Sequence, residues 1–297
     1  LCFFLSMFIT NEVSLITFVP FTVLILTIIG QTKLMIYVIV LQTIAANLGS
    51  MLTPVGNPQN LYLYSLSGMD ISLFLKTMLP YTLLSGLMLL LALFLKPGEE
   101  VSLQAVFTET KAMARRPLAA YTLLFLLCLG CVLRLIPWQA VLLILLAVLF
   151  FFNRRLLLKA DFGLLFTFVF FFLFIGNMGR IPAIVGFLRS VLSGHELFLS
   201  IAASQVISNV PAAVLLSHFT GAWQPLLIGV NIGGAGTLVG SLASLITLQH
   251  FASVRKVFPQ TAALPELSTS RFLVLFSVLN FAFLAILLIA CGAAPLF

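Results

Sequence analysis

The sequence predicts an all-α polytopic membrane protein built from two inverted repeats, each with a re-entrant helical hairpin and a broken transmembrane helix. Three observations predict it. The 297 residues are 62% hydrophobic and only 8% charged, against about 45–50% apolar and about 25% charged in soluble domains. Two glycine-rich stretches interrupt apolar runs: Asn47-Leu-Gly49-Ser-Met-Leu-Thr53-Pro-Val-Gly56 and Asn231-Ile-Gly233-Gly-Ala-Gly-Thr237-Leu-Val-Gly240 share the pattern N-x-G-x-x-x-T-x-V-G. Each is preceded, in the same order, by a hydroxyl–Asn pair inside apolar sequence, Thr10-Asn11 and Ser208-Asn209.

Composition sets the class. At ~20 residues per crossing the chain has room for about ten spans. The net charge of +7 lies mostly in short loops, as the positive-inside rule expects of cytoplasmic loops, so it points to membrane topology and not to nucleic acid. Cys128-x-x-Cys131 stands without a second pair and reads as small packing residues in an apolar helix. His195, His218 and His250 are each isolated, and His195-Glu196 lacks the second histidine of a zinc motif. The phenylalanines of 168–172 read as lipid-facing or packing groups.

In chain order, residues 1–95 form a first repeat, 96–117 a cytoplasmic linker rich in Lys, Arg and Glu, and 118–297 a second repeat. Residues 1–9 and 13–29 are apolar on either side of Thr10-Asn11-Glu12. Residues 34–46 form a helix entering a first break at 47–60, and 61–66 complete that crossing. Residues 77–95 are an ordinary span. Residues 118–133 and 138–152 are spans joined by a turn at Arg134–Pro137, and Asn153 to Lys159 is a basic loop on the linker's side of the membrane. Residues 161–178 cross outward and 183–193 lie along the interface. A second broken span covers 225–251, a third cytoplasmic loop 252–270, and a last span about 272–290.

Residues 197–207 and 212–220 are each about half the length of a crossing. They therefore read as a hairpin that enters and leaves on one side, turning at Ser208-Asn209. Such backbone is tolerated at membrane depth only inside protein or against a water-filled cavity. Loop charge places the hairpin at Thr10-Asn11 on the cytoplasmic side and the other on the opposite side, the arrangement of inverted-repeat carriers. Ninety residues run from Leu118 to Ile207 before the second tip and nine precede the first. Equivalence of the halves then implies roughly eighty residues, about three spans, upstream of Leu1.

Hairpin tips at that depth present side-chain amides, hydroxyls and helix N-termini, and helix N-termini attract anions. Thr10, Asn11, Ser208, Asn209 and Asn60 form the expected substrate-binding set. Backbone carbonyls freed in the breaks suit a small hard cation such as Na⁺, so Glu12, Asn47, Gly49, Thr53, Gly56, Asn231, Gly233 and Thr237 form the expected cation-coupling set. Glu12 is the sharpest member, because an ionisable group at depth is costly and marks function; the plainer reading is a cap on the helix that follows. Val210 stands where the first tip has Glu12, so the two sites are expected to differ chemically.

Ile9 to Pro20, Ala46 to Asn60, Ser208-Asn-Val-Pro211 and Gly229 to Ser244 together resemble the ion transporter superfamily, which holds citrate and dicarboxylate permeases, divalent-anion/sodium symporters, arsenite pumps and some sodium/proton antiporters. The resemblance covers nearly the whole chain. It implies an elevator-like carrier working as a homodimer in the cell (plasma or inner) membrane, with a small anionic solute as cargo, Na⁺ or H⁺ as coupling ion, lipid around it, and no cofactor. In dicarboxylate symporters of this group a Ser-Asn-Thr motif at each tip contacts substrate carboxylate. Here the tips read Thr10-Asn11-Glu12 and Ser208-Asn209-Val210, and the acid is more similar to the citrate and arsenite side. Three readings are weighed: a cation-coupled carrier of an organic carboxylate; an efflux system for arsenite, or for sodium against protons, working through Glu12; and an intramembrane enzyme, which needs a nucleophile–base pair at depth that Glu12 alone does not supply.

Overall fold

A computed structural model of the chain describes residues 1–95, 115–159, 162–257 and 267–293; among them there is helix and no strand. Backbone packing divides the chain into two compact units, Leu1–Gln104 with Asn177–Phe297, and Ala105–Gly176. This division cuts through the stretch read as the second repeat, placing residues 118–176 apart from 177–297. Most of the charged linker, 96–114, lies outside the described residues.

The larger unit begins with α1 (Cys2–Ile9) and α2 (Asn11–Ile28), joined by the single residue Thr10. A 3₁₀ turn over Thr32–Leu34 leads into α3 (Met35–Ser50). After an irregular stretch over 51–57, α4 (Pro58–Ser67) starts with Pro58 in its first turn and the Asn57 side chain accepting from the Asn60 amide at 3.0 Å. Proline there costs nothing, since its missing N–H has no partner in a first turn anyway. Helix α5 (Ile71–Phe94) follows. Beyond the smaller unit come α9 (Pro182–Leu192), α10 (Glu196–Ile207) and α11 (Asn209–Leu216), the last two joined by Ser208 alone. Then α12 (Trp223–Ile232), a 3₁₀ turn at Leu238–Gly240, α13 (Leu242–Val257) and α14 (Thr269–Ala293) complete the chain. The smaller unit holds α6 (Arg115–Val132), α7 (Trp138–Leu158) and most of α8 (Phe162–Met178).

Several boundaries differ from the sequence reading, and α5 begins at Ile71 where the sequence reading starts that span at 77. Asn153 to Lys159 is not a loop: α7 continues to Leu158 across a kink at Asn153 (φ −158°, ψ 71°), whose side chain reaches Tyr121 Oη at 3.4 Å. The strong helix formers Arg154 to Leu158 carry the helix on. Helix α13 runs to Val257, so Arg255 and Lys256 are helical; residues 258–266 lie outside the described part. The breaks are narrower than expected. Helix α3 reaches Ser50 and α12 reaches Ile232, so Asn47, Gly49 and Asn231 sit in the last turns of helices and not in irregular backbone.

Five helices among the described residues are long and apolar enough to cross a membrane: α2, α3 with its leading turn, α5, α7 and α14. Their outer faces are hydrocarbon. Along α5, Leu79, Leu83, Leu87, Leu90 and Leu91 are exposed while Phe74, Met78 and Ser85 are buried. An apolar face of this extent fits lipid and not water. In α8, Val169, Phe170 and Phe172 are likewise exposed, as the lipid-facing reading expects. Helices α10 and α11, with 12 and 8 residues, rise about 18 Å and 12 Å, short of a ~30 Å hydrocarbon core. Helix α2, at 18 residues, reaches nearly that far.

Candidate functional site

The two halves build the same local device. At each hairpin tip one non-glycine residue carries the turn: Thr10 at φ 69°, ψ 154° and Ser208 at φ 75°, ψ 153°. This region is open to glycine and costs other residues about 1–3 kcal/mol. The next residue, asparagine, begins the following helix and folds its own carbonyl oxygen back onto the next amide: Glu12 N donates to Asn11 Oδ1 at 3.0 Å, and Val210 N to Asn209 Oδ1 at 2.9 Å. Asn11 and Asn209 are both buried, so the amides face protein and not lipid.

Each break is bolted to its own hairpin by a threonine. Thr53 Oγ1 accepts from Gly56 N at 3.1 Å and donates to the Met7 carbonyl. Thr237 Oγ1 accepts from Gly240 N at 3.1 Å and donates to the Gln205 carbonyl at 2.8 Å. Met7 and Gln205 each stand three residues before their tip. The glycines serve close approach. A Cβ on Gly49 would collide with the Phe3 carbonyl and Ser6 Oγ, and one on Gly233 would lie 2.7 Å from Ser204 Cβ. Ser6 and Ser204 in turn each stand four residues before a tip.

The repeats are then stitched together through asparagine. Asn231 Oδ1 accepts from Asn57 Nδ2 at 3.1 Å, and its Nδ2 donates to Asn60 Oδ1 at 2.6 Å. In the matching positions Asn47 Oδ1 accepts from Ser241 Oγ at 2.9 Å, and its Nδ2 reaches Ser244 Oγ at 3.4 Å. Asn11 joins this second knot by donating to Asn47 Oδ1 at 3.1 Å, and its backbone amide donates to the Gly56 carbonyl at 3.0 Å. Asn47 Nδ2 also reaches the Gly234 carbonyl at 3.4 Å. One connected network thus holds the first tip, both breaks and the starts of α4 and α13. Buried amides satisfied in this way fix a single geometry, whereas one left unpaired is costly.

Of the residues expected from sequence, Asn11, Asn47, Gly56, Asn60 and Asn231 lie in this network. Thr53 touches it where Asn60 Nδ2 donates to the Thr53 carbonyl at 3.0 Å. Gly49, Gly233 and Thr237 hold the hairpins against the breaks. Asn209 Nδ2 lies against Gly234. Glu12 is half-buried in the first turn of α2, tied to the tip by its backbone amide, which donates to Asn11 Oδ1. The expectation of free break carbonyls is not met at several positions: those of Ser50, Met51, Thr53, Gly56, Gly233, Gly234 and Ala235 all accept hydrogen bonds from protein donors.

Sequence reading missed Asn57, Gln59, Gln205, Ser241 and Ser244. Asn57 and Ser241 were findable, since both directly follow the shared ten-residue pattern. Gln59 is 2% exposed and its Oε1 has no hydrogen-bond partner; the matching position is Ala243, so Gln59 adds polarity to one break only. Nothing in local sequence separates it from its neighbours.

Hairpin tips and broken helices inside a hydrocarbon-faced helical protein are what a multi-pass membrane transporter needs, and the comparisons with known proteins give that class. A family model described as citrate transporter matches residues 1–225, and the chain belongs to that family. It is 38% identical over 253 residues to an uncharacterized transporter of Methanocaldococcus jannaschii, covering 84% of this chain and 68% of that protein. It is 34% identical over 271 residues to the inner membrane protein YbiR of Escherichia coli strain K12, covering 86% and 68%. No solved structure matches it significantly.

Proposed function

We propose that the protein is a secondary active carrier in the plasma or inner membrane that moves a small organic carboxylate, such as citrate or a dicarboxylate, coupled to Na⁺ or H⁺, as a homodimer whose two repeats lie in opposite orientations. The observation that carries this reading is the bond from Asn11 at one tip to Asn47, which itself reaches Ser241, Ser244 and Gly234 of the other repeat. This network ties the first tip to the other half through neutral hydrogen bonds. The two tips supply hydroxyls, amides and the N-terminal turns of α2 and α11, donors suited to a carboxylate. Membership of the citrate transporter family supports the same cargo class.

Uptake into proteoliposomes by the full-length protein tests it, with labelled citrate, succinate and arsenite, each with and without a Na⁺ gradient and with an imposed pH gradient. Carboxylate accumulation driven by either gradient, and lost in Asn209→Ala, is the expected result. Unchanged uptake in Asn209→Ala places the solute elsewhere.

A second reading is favoured by one asymmetry: an acid, Glu12, follows the first tip and Val210 the second. It assigns arsenite efflux, or sodium exchange against protons, to Glu12. Arsenite transport without carboxylate transport, abolished by Glu12→Gln, selects it.

A further inference from the structure

One amide holds the second break closed. Gln205, on α10 one turn before the tip, donates from Nε2 to the carbonyls of Gly233 at 2.8 Å and Ala235 at 2.9 Å, with the Ile201 carbonyl of its own helix at 3.5 Å. Its Oε1 accepts from Thr237 N at 2.7 Å. Gly236, at φ 115°, lets the loop wrap this group: a Cβ there would collide with Gln205 Oε1. Three carbonyl oxygens therefore converge on one NH₂ group whose hydrogens carry partial positive charge.

The first break meets the same need from a different place. The residue matching Gln205 is Met7, whose side chain has no N–H to offer. Asn60, from the helix after the break, supplies the amide instead, with Nδ2 at 3.4 Å from the Ser50 carbonyl, 3.2 Å from Met51 and 3.0 Å from Thr53. Met51 and Ala235 occupy matching positions of the two breaks. Two unrelated side chains thus bring an NH₂ group to one equivalent carbonyl, Met51 in the first break and Ala235 in the second.

Carbonyl oxygens pointing at one centre are the usual coordination of a hard monovalent cation. Left facing one another they repel, and in a membrane they find no water. We propose that Gln205 is a positioning residue whose amide NH₂ stands in for a cation in the second break, so that this loop keeps its shape without a bound ion and a coupling cation must use other oxygens. This does not depend on the identity of the cargo.

The test is a charge-sign comparison on the purified full-length protein, reading thermal unfolding in NaCl and in choline chloride at equal ionic strength. Gln205→Lys puts an ammonium into the carbonyl cradle. It gives up the acceptor for Thr237 N, so it is expected to unfold somewhat below wild type but well above Gln205→Glu in choline, with the wild-type response to sodium. Gln205→Glu puts a carboxylate oxygen against the Gly233 and Ala235 carbonyls. It is expected to lose roughly 5 °C or more in choline, the shift of a burial defect of a few kcal/mol in a chain this long, and to regain much of it in sodium, which bridges the three oxygens. A purely steric or hydrogen-bonding role moves both variants down together with no sodium effect, and that result, including failure of both to fold in either salt, overturns the proposal. So does a sodium-specific stabilisation of wild type that Gln205→Lys abolishes, because Gln205 is then itself a cation ligand. Uptake is not needed for the readout, so a wrong cargo assignment leaves the answer intact.

Discussion

Thr10 and Ser208, at the tips of different hairpins in different halves of the chain, hold the same backbone conformation within a few degrees (φ 69°, ψ 154° and φ 75°, ψ 153°). Neither is glycine, although glycine alone occupies that region without strain. The strain is retained together with a hydroxyl: Thr10 Oγ1 accepts from Val13 N at 3.4 Å, and Ser208 Oγ faces Asn209 Oδ1 at 3.5 Å. Strain of this kind gathers at ligand clamps.

Replacing Ser208 by glycine separates the two roles. Relief of about 1–3 kcal/mol of backbone strain is expected to leave the melting temperature unchanged or higher, while uptake falls at least tenfold. Ser208→Ala keeps the strain and loses the hydroxyl, so its uptake falls without the gain in stability. Normal uptake in Ser208→Gly, measured beside thermal unfolding, removes the hydroxyl from the site.

The asparagine knot predicts strong coupling across the repeats. Asn231→Ala leaves Asn60 Oδ1 without its partner, worth about 1–3 kcal/mol when buried and unpaired, and leaves Asn57 Nδ2 with Ser50 Oγ alone. Asn57→Ala removes one end of the same bond. The double variant is expected to lose less stability than the two single losses together, by about 0.5–3 kcal/mol. Additivity in denaturant or thermal unfolding refutes the Asn57–Asn231 contact.

Gly233→Ala drives a methyl group into Ser204 on α10. Neither the helix nor the hairpin can retreat without breaking the Thr237–Gln205 bonds, so folded yield is expected to fall severely. Gly186→Ala, in α9 with nothing within 4 Å of its added carbon, serves as the tolerated comparison. Fluorescence-detected size exclusion of both variants gives the answer.

Glu12 and Val210 occupy matching positions after the tips, so Glu12 is the group that distinguishes them. If it carries the coupling proton, Glu12→Gln is expected to flatten the dependence of uptake on external pH while leaving counterflow exchange of the cargo in place. Loss of exchange and net uptake together makes Glu12 part of the solute site instead.

Much of this was legible in the residues themselves. The membrane class followed from composition, since no water-soluble fold hides so much hydrocarbon. The breaks and tips followed from glycine and asparagine in apolar runs, because backbone propensity is local and its violation shows within a window of ten. Even the match between the halves was visible at Asn47, Thr53 and Gly56 against Asn231, Thr237 and Gly240.

Helix ends and hydrogen-bond partners were decided only in three dimensions. Asn47 and Asn231 looked like members of irregular backbone, yet both helices run past them, because packing against α1 and α10 keeps those last turns formed. Asn57 finds Asn231 across 174 positions and Ser241 finds Asn47 across 194. A short polar side chain in an apolar run announces that it needs a partner and says nothing of which one. The chain alone therefore determined where its backbone breaks and that buried polarity must be answered. Tertiary packing decided which amide answers each carbonyl, because hydrogen bonds depend on a few ångströms of distance that sequence separation does not encode.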